Sequence, residues 1–399
     1  MALEVVAKEC VEDQDLEAGL ALKAEIFFRT TLEDWKRGEP RTASIAFLGD
    51  AVVGFIPLAL RPFKLAPGVV ISTAFEHCVG TRKEYRGMGI GTAMIEAARG
   101  FLEGRAHALC VYRGHERSAA YNFYAKTGHH DLHYVRRLRS AGRSFGPQEG
   151  VELTRGLPPV PDLGSRMLAV YESAHSRYGG YPVRAESSWK KADNRGYWNF
   201  WASENGRLLG HLLTRERNDI PLTDGKPGKP ILMVMEMAAS DQDGEVARRL
   251  LKAAIHAAAE NGLAGVVAPI CDCGPFVDAY LDVEMQPGPR NNIVMALPLD
   301  VEGIVHGAWK SRFDPDLEVK VWTPRREFFL TTSERPSRAS VLLEMKDDTL
   351  VKWVMGRLDL RARIREGSVT AVGANERIIS ALADALPFTP WVFHHLDYI

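Results

Sequence analysis

The feature that most constrains this chain is the junction at residues 82–92, Arg-Lys-Glu-Tyr-Arg-Gly-Met-Gly-Ile-Gly-Thr, which lies between strand-like apolar runs and a helical pattern. Glycines at 87, 89 and 91 leave the backbone uncovered. A diphosphate can then approach several main-chain N–H groups at a helix N-terminus, where unpaired donors and the positive end of the dipole favour an anion. Arg82, Lys83 and Arg86 supply cations beside it. A simple tight turn explains the glycines comparably well. The runs before the junction, Ala43 to Leu48 and Val52 to Leu60 around Gly49-Asp50-Ala51, read as an antiparallel hairpin, and Val69 to Val79 continues it. A dinucleotide fingerprint would need a βαβ unit opening with G-x-G-x-x-G, and no G-x-x-x-x-G-K-[ST] pattern is present, so neither nucleotide fold is expected.

Around this junction the chain opens with a strand, Leu3 to Ala7, and a helix, Asp15 to Phe28. After it come a helix from Gly89 to Glu103, a strand from Ala108 to Tyr112, a helix from Ser118 to Lys126 and a strand ending near Arg139. Residues 140–161 are rich in Gly, Pro and Ser and read as a linker. The order then partly repeats. A hairpin on Asn205-Gly206 joins Phe200–Ala202 to Leu208–Leu213; strand Ile231–Ala239, helix Gly244–Asn261, strand Gly265–Pro269, helix Phe276–Val283 and strand Ile293–Leu297 follow. The last hundred residues read as a separate α+β module: a helix near Val301 to Trp309, strands at Val319–Trp322, Phe328–Thr332 and Ser340–Glu344, alternation at Leu358–Ile364, a strand at Val369–Val372 and a helix at Ile378–Leu386.

A chain of 399 residues exceeds one ordinary hydrophobic core, which agrees with several domains. With 50 Lys plus Arg against 51 Asp plus Glu, no stripe for nucleic acid is expected. The densest basic cluster, Arg136-Arg137-Leu138-Arg139, reads as solvated or salt-bridged. No 18-residue apolar run and no export signal is seen, so no membrane span and a cytoplasmic setting are expected. Five cysteines then read as thiols. No metal site is expected: Cys271-Asp272-Cys273 has no second pair, and His129, His130 and His133 read as surface and half-buried strand histidines.

Two motifs carry a resemblance. Arg86-Gly87-Met88-Gly89-Ile90-Gly91 fits [Q/R]-x-x-G-x-[G/A], and Ala120-Tyr121-Asn122-Phe123-Tyr124-Ala125-Lys126-Thr127-Gly128 fits A-x-x-F-Y-x-K-x-G; together they resemble the GNAT acetyltransferases. The resemblance implies acetyl-CoA as co-substrate, held by Val79, Gly80, Thr81, Arg86, Gly87, Met88, Gly89, Ile90, Gly91, Thr92, Ala119 and Ala120. It implies Tyr124 as the acid that protonates the leaving thiolate. The whole layout resembles the enhanced-intracellular-survival (Eis) acetyltransferases. That implies an α+β chain with a GNAT domain over residues 1–145, a degenerate GNAT-like domain over 146–299 and a sterol-carrier-protein-like domain over 300–399. It also implies a homo-oligomer, as a hexamer, and the C-terminal carboxylate of Ile399 as base, with Glu76 or His77 as alternatives. In the second domain Ser240-Asp241-Gln242-Asp243-Gly244-Glu245 offers one glycine and three acids, which would repel a diphosphate. The acceptor is expected to be a small-molecule or peptide amine. A non-catalytic carrier of a lipid-like ligand is the alternative.

Overall fold

The computed structural model describes residues 4–398 apart from 38, 115–117, 141–144, 195, 219–228, 241–243, 315–316 and 331–338. Strand β1 (Val5–Glu9) is followed by helices α1 (Asp13–Ile26) and α2 (Leu32–Arg37), then β2 (Arg41–Leu48), β3 (Ala51–Ala66) and β4 (Val69–Glu76). These strands are antiparallel, with Val5 opposite Leu48, Arg41 opposite Ala59 and Leu58 opposite Glu76. β3 is buried along nearly its whole length because helices cover both faces. Leu16, Leu20 and Trp35 pack on Ala43, Ile45 and Phe55 of one face, and Ala46, Ile56 and Leu58 of the other meet Ile90, Met94 and Ala98 of α3 (Ile90–Leu102). Gly19 lets α1 come this close: a Cβ there would lie 2.3 Å from the Phe55 ring.

The expected third strand breaks early. Cys78 takes a left-handed φ of 53°, so β4 stops at Glu76 and a short β5 (Gly80–Thr81) resumes the pairing with β3. On its other side β4 runs parallel to β6 (Ala108–Gly114), with pairs from Thr73–Ala108 to Glu76–Val111. Past that point β5 pairs with β3 and β6 continues to Gly114. Helix α4 (Ala119–Lys126), capped by Ser118 accepting from Tyr121 N–H at 3.2 Å, leads into β7 (His130–Arg139).

The next stretch contains β8 (Val151–Arg155), α5 (Leu163–His175), β9 (Tyr181–Pro182), β10 (Tyr197–Glu204), β11 (Arg207–Arg217), β12 (Ile231–Ala239), α6 (Glu245–Glu260), β13 (Val266–Cys271), α7 (Val277–Asp282) and β14 (Gln286–Pro298). It corrects the linker reading, because β8 lies inside residues 140–161 and pairs with β10. Then come α8 (Val301–Gly303), continued by wider turns through Trp309, β15 (Leu317–Thr323), β16 (Arg326–Phe329), β17 (Ala339–Met345), α9 (Asp347–Val354), α10 (Leu360–Arg365), β18 (Val369–Val372) and α11 (Glu376–Ala385). The alternation at Leu358–Ile364 is helix α10 rather than a strand. Asp359 caps it by accepting from Ala362 N–H, and among residues 360–365 only Leu360 is fully buried. Residues 331 and 332 of the expected strand Phe328–Thr332 fall outside the described set.

Contacts divide the chain into two compact units. The first holds residues 1–133 and 293–389, with strand order β1-β2-β3-β4-β6-β14 and a separate four-stranded sheet β16-β15-β17-β18. The second holds residues 134–292 and 390–399, with order β7-β13-β12-β11-β10-β8. The fold is mixed α+β throughout. No described helix is long and apolar enough to cross a membrane.

Candidate active site

In the glycine-rich turn the three glycines have different duties. Gly87 and Gly89 take φ values of 83° and 79°, and a Cβ added at either would meet nothing. Backbone conformation demands glycine there, and the space above stays open. Gly91 has an ordinary helical backbone, but a Cβ would lie 2.9 Å from the Phe123 ring. Its role is to let the first turn of α3 pack on α4. Gly89 caps α3 and, being glycine, brings no side-chain cap to the N–H groups of that first turn.

Cations cluster at this end. Arg86 Nε donates to Thr81 O at 3.2 Å, Arg82 pairs with Glu25 at 3.4 Å, and Lys83 is exposed. An open glycine backbone, an uncapped helix N-terminus and flexible cations fit a diphosphate. Met88 and Thr92 are exposed, as are Ala119 and Ala120 in the first turn of α4. The Ile90 side chain is buried in the core beside Met94. Val79 is half-buried and packs on that same core, and Gly80 is pressed against Ile26.

Tyr124, on α4, is buried. Burial first, and then the Glu76 carboxylate beside it, push its hydroxyl well above the ordinary tyrosine pKa. It is therefore protonated at neutral pH. Its ring meets the Phe123 ring at 4.9 Å and the His129 ring at 5.0 Å, both edge-on. His129 Nε2 lies 3.0 Å from Glu76 Oε1, with both side chains wholly buried, and His129 Nδ1 lies 3.1 Å from Thr127 Oγ1. Cys110, on β6, is buried near Glu76, and burial followed by that charge raises its thiol pKa.

The structure thus brings Glu76 and Tyr124 together and adds His129 and Thr127, which sequence reasoning did not place in the site. His129 and His133 are buried, which corrects their reading as surface and half-buried strand histidines. Nothing in their spacing signalled it: what buries them is packing against residues far away in sequence, as with Arg357 beside His133. His130 faces Asp348 at 3.3 Å. Among the described residues no group of three or more His, Cys, Asp or Glu could hold a metal ion. Ile399 lies outside the described residues, as do Asp241, Gln242 and Asp243 of the degenerate turn. Within the basic run, Arg136 pairs with Asp272 at 2.6 Å.

The second unit carries its own buried polar cluster. Glu236 on β12 receives Arg184 Nη2 at 2.6 Å, His211 Nε2 at 3.0 Å and the Trp189 indole N–H. Burial alone would raise the Glu236 pKa, but the Arg184 guanidinium and these donors hold it well below the usual carboxylate range. Arg184 also pairs with Asp397 of the C-terminal segment at 2.5 Å. A cavity in this unit is lined by Glu236, Met237, Pro269, Cys271, Phe393 and His394, so the tail itself forms one of its walls.

Residues 9–129 match the sequence profile of the Acetyltransferase (GNAT) family. No curated protein matches the chain significantly by sequence. Among solved structures, the fold is similar to the GCN5-related N-acetyltransferase from Kribbella flavida (TM-score 0.63, 18% identity, 99% of each chain covered). It is similar also to the GCN5-related N-acetyltransferase from Anabaena variabilis ATCC 29413 (TM-score 0.65, 13% identity, 98% of this chain and 100% of that one). Eis1 from Mycobacterium abscessus is a third neighbour (TM-score 0.61, 13% identity, 98% and 99% covered). The open glycine turn and the buried tyrosine both lie inside the segment that matches this family, residues 9–129.

Proposed function

We propose that the chain is an N-acetyltransferase that moves the acetyl group of acetyl-CoA directly to a primary amine. The observation that carries this reading is the contact of Gly91 with Phe123, which ties the open turn at Gly87 and Gly89 to the helix that holds Tyr124. The turn would take the diphosphate through main-chain N–H groups, with Arg82, Lys83 and Arg86 as counter-charges. Val79, Gly80 and Thr81 would line the pantetheine arm, and Met88, Ile90, Gly91, Thr92, Ala119 and Ala120 would complete the site through their backbones and small side chains. Tyr124, kept protonated by burial, would give its proton to the departing sulfur. The terminal carboxylate of Ile399 would deprotonate the amine.

In this reading the chain is organised as domains 1–145, 146–299 and 300–399, the last resembling sterol carrier protein. It works in the cytoplasm as a homo-oligomer, a hexamer, whose mass light scattering would measure. Calorimetry with acetyl-CoA tests the assignment. Micromolar binding that disappears in Gly89→Glu is the expected result; no binding by the native chain sinks it.

A further inference from the structure

The side chains around Tyr124 impose a count of hydrogens. Thr127 Oγ1 lies 3.0 Å from Tyr124 O, 3.3 Å from Phe123 O and 3.1 Å from His129 Nδ1. A hydroxyl has one hydrogen, and carbonyl oxygens have none to give. Were that hydrogen aimed at the imidazole, the hydroxyl oxygen would face two bare carbonyls at contact distance. It therefore goes to a carbonyl, and His129 Nδ1 is the protonated donor to Oγ1. A neutral ring would then present a bare Nε2 to Glu76 Oε1, 3.0 Å away, with both side chains wholly buried. Two acceptors do not sit at that distance without a proton between them. The contact holds one: imidazolium against carboxylate, or imidazole against carboxylic acid. Either way the buried pair is neutral as a unit, which removes most of the cost of burying it.

We propose that Glu76 and His129 form a one-proton pair that acts through Tyr124, orienting its hydroxyl and restoring the proton it gives to the leaving sulfur. The proposal rests on the reading of Tyr124 as the acid. It also removes Glu76 as the base for the amine, because Glu76 is wholly buried and its Oε1 is engaged by His129.

The balance closes within one turnover. The amine nitrogen bonds to the acetyl carbon, the C–S bond breaks, and the sulfur takes the phenolic hydrogen of Tyr124. The proton of the Glu76–His129 contact passes to the phenolate oxygen; the hydrogen lost by the amine nitrogen goes to the terminal carboxylate of Ile399 and from there to solvent, and an equivalent proton from solvent refills the pair. Nothing is oxidised or reduced. Among the described residues, Arg113 and Cys110, both on β6, also face this cluster. The Arg113 guanidinium favours any negative charge that develops on the Tyr124 oxygen, and the Cys110 thiol stays neutral because burial raises its pKa.

Nitrogen NMR of the full chain carrying ¹⁵N-histidine tests this, with His129→Asn identifying the resonances. The expected spectrum shows Nδ1 of His129 protonated and Nε2 hydrogen-bonded from pH 6 to 9, and Glu76→Gln shifts the Nε2 resonance by removing the carboxylate that shares its proton. A bare Nδ1 in the native chain overturns the pair. In steady-state assays Glu76→Gln and His129→Asn should lower kcat by roughly tenfold to a hundredfold, with KM for acetyl-CoA changed less than about threefold. An unchanged kcat in both variants overturns the relay. The spectrum reads the pair with or without turnover. Absence of acetyl transfer to any amine, with the proton in place, overturns the acid role of Tyr124 and the relay built on it but leaves the one-proton contact standing.

Discussion

Three glycines two residues apart look alike in a sequence and differ in the fold. Gly87 and Gly89 hold left-handed turns under open space, and Gly91 is small so that Phe123 can approach. Spacing showed that a bare backbone was possible; which glycine served which purpose depended on φ and on a neighbour thirty-two residues away. Tyr124 was legible through its motif, but its partners were not. Replacing it with phenylalanine should lower kcat by about 10²–10⁴ while leaving KM for acetyl-CoA nearly unchanged, as steady-state kinetics with a reactive amine would show. An equal loss in Tyr124→Phe and in a distant surface variant would refute that role. The aromatic core around Phe123 survives the change, so the variant should melt with the native protein.

Elements were read well where one pattern acted alone. β12 was found to its exact bounds because eight of its nine residues are apolar or small, Glu236 being the exception, which matches a strand buried on both faces. α10 was misread because seven alternating residues fit either period, and the cap from Asp359 decided between them. β8 was missed because its strand character comes from pairing with β10, not from its own mostly polar residues. The start of β14 was missed because Pro287 and Pro289 argue against a strand. Helix α1 offers a test at this scale. Gly19→Ala places a methyl 2.3 Å from the Phe55 ring and should destabilise the protein by about 1–3 kcal/mol, read as a lower melting temperature. Affinity for acetyl-CoA should hold below the new transition, since α3 and its turn lie on the opposite face of the sheet.

At the scale of the molecule, stability in the second unit depends on buried charge. Arg184 serves two buried carboxylates at once, Glu236 and Asp397. Arg184→Met strands both and should cost about 3–5 kcal/mol, measured by denaturant unfolding; a loss under ~1 kcal/mol would show the network to be replaceable. Acid acts on the same unit through its histidines. Burial above all holds His394 and His395 neutral down to about 3. The unfolded chain binds those protons near pH 6.5, so the folded state has its full stability above that pH and loses it as pH falls toward 3. Each such histidine contributes a slope of about 1.4 kcal/mol per pH unit across that window. Melting temperatures should therefore fall continuously from pH 6.5 downward, and a flat profile to pH 4 would contradict it. Glu236 adds to the loss in the same direction, but only as pH falls into and through the ordinary carboxylate range.

The sequence by itself determined most of the strands and helices in their order, the glycine turn at the start of α3 and the tyrosine on α4, because each is written in local periodicity or in a short motif. The tertiary structure alone decided that Glu76, Thr127 and His129 surround that tyrosine, and that residues 390–399 pack with the second unit rather than with the module they follow. Burial and hydrogen-bond partnership belong to residues far apart along the chain. No window of sequence contains both members of such a pair until the sheet has brought them together.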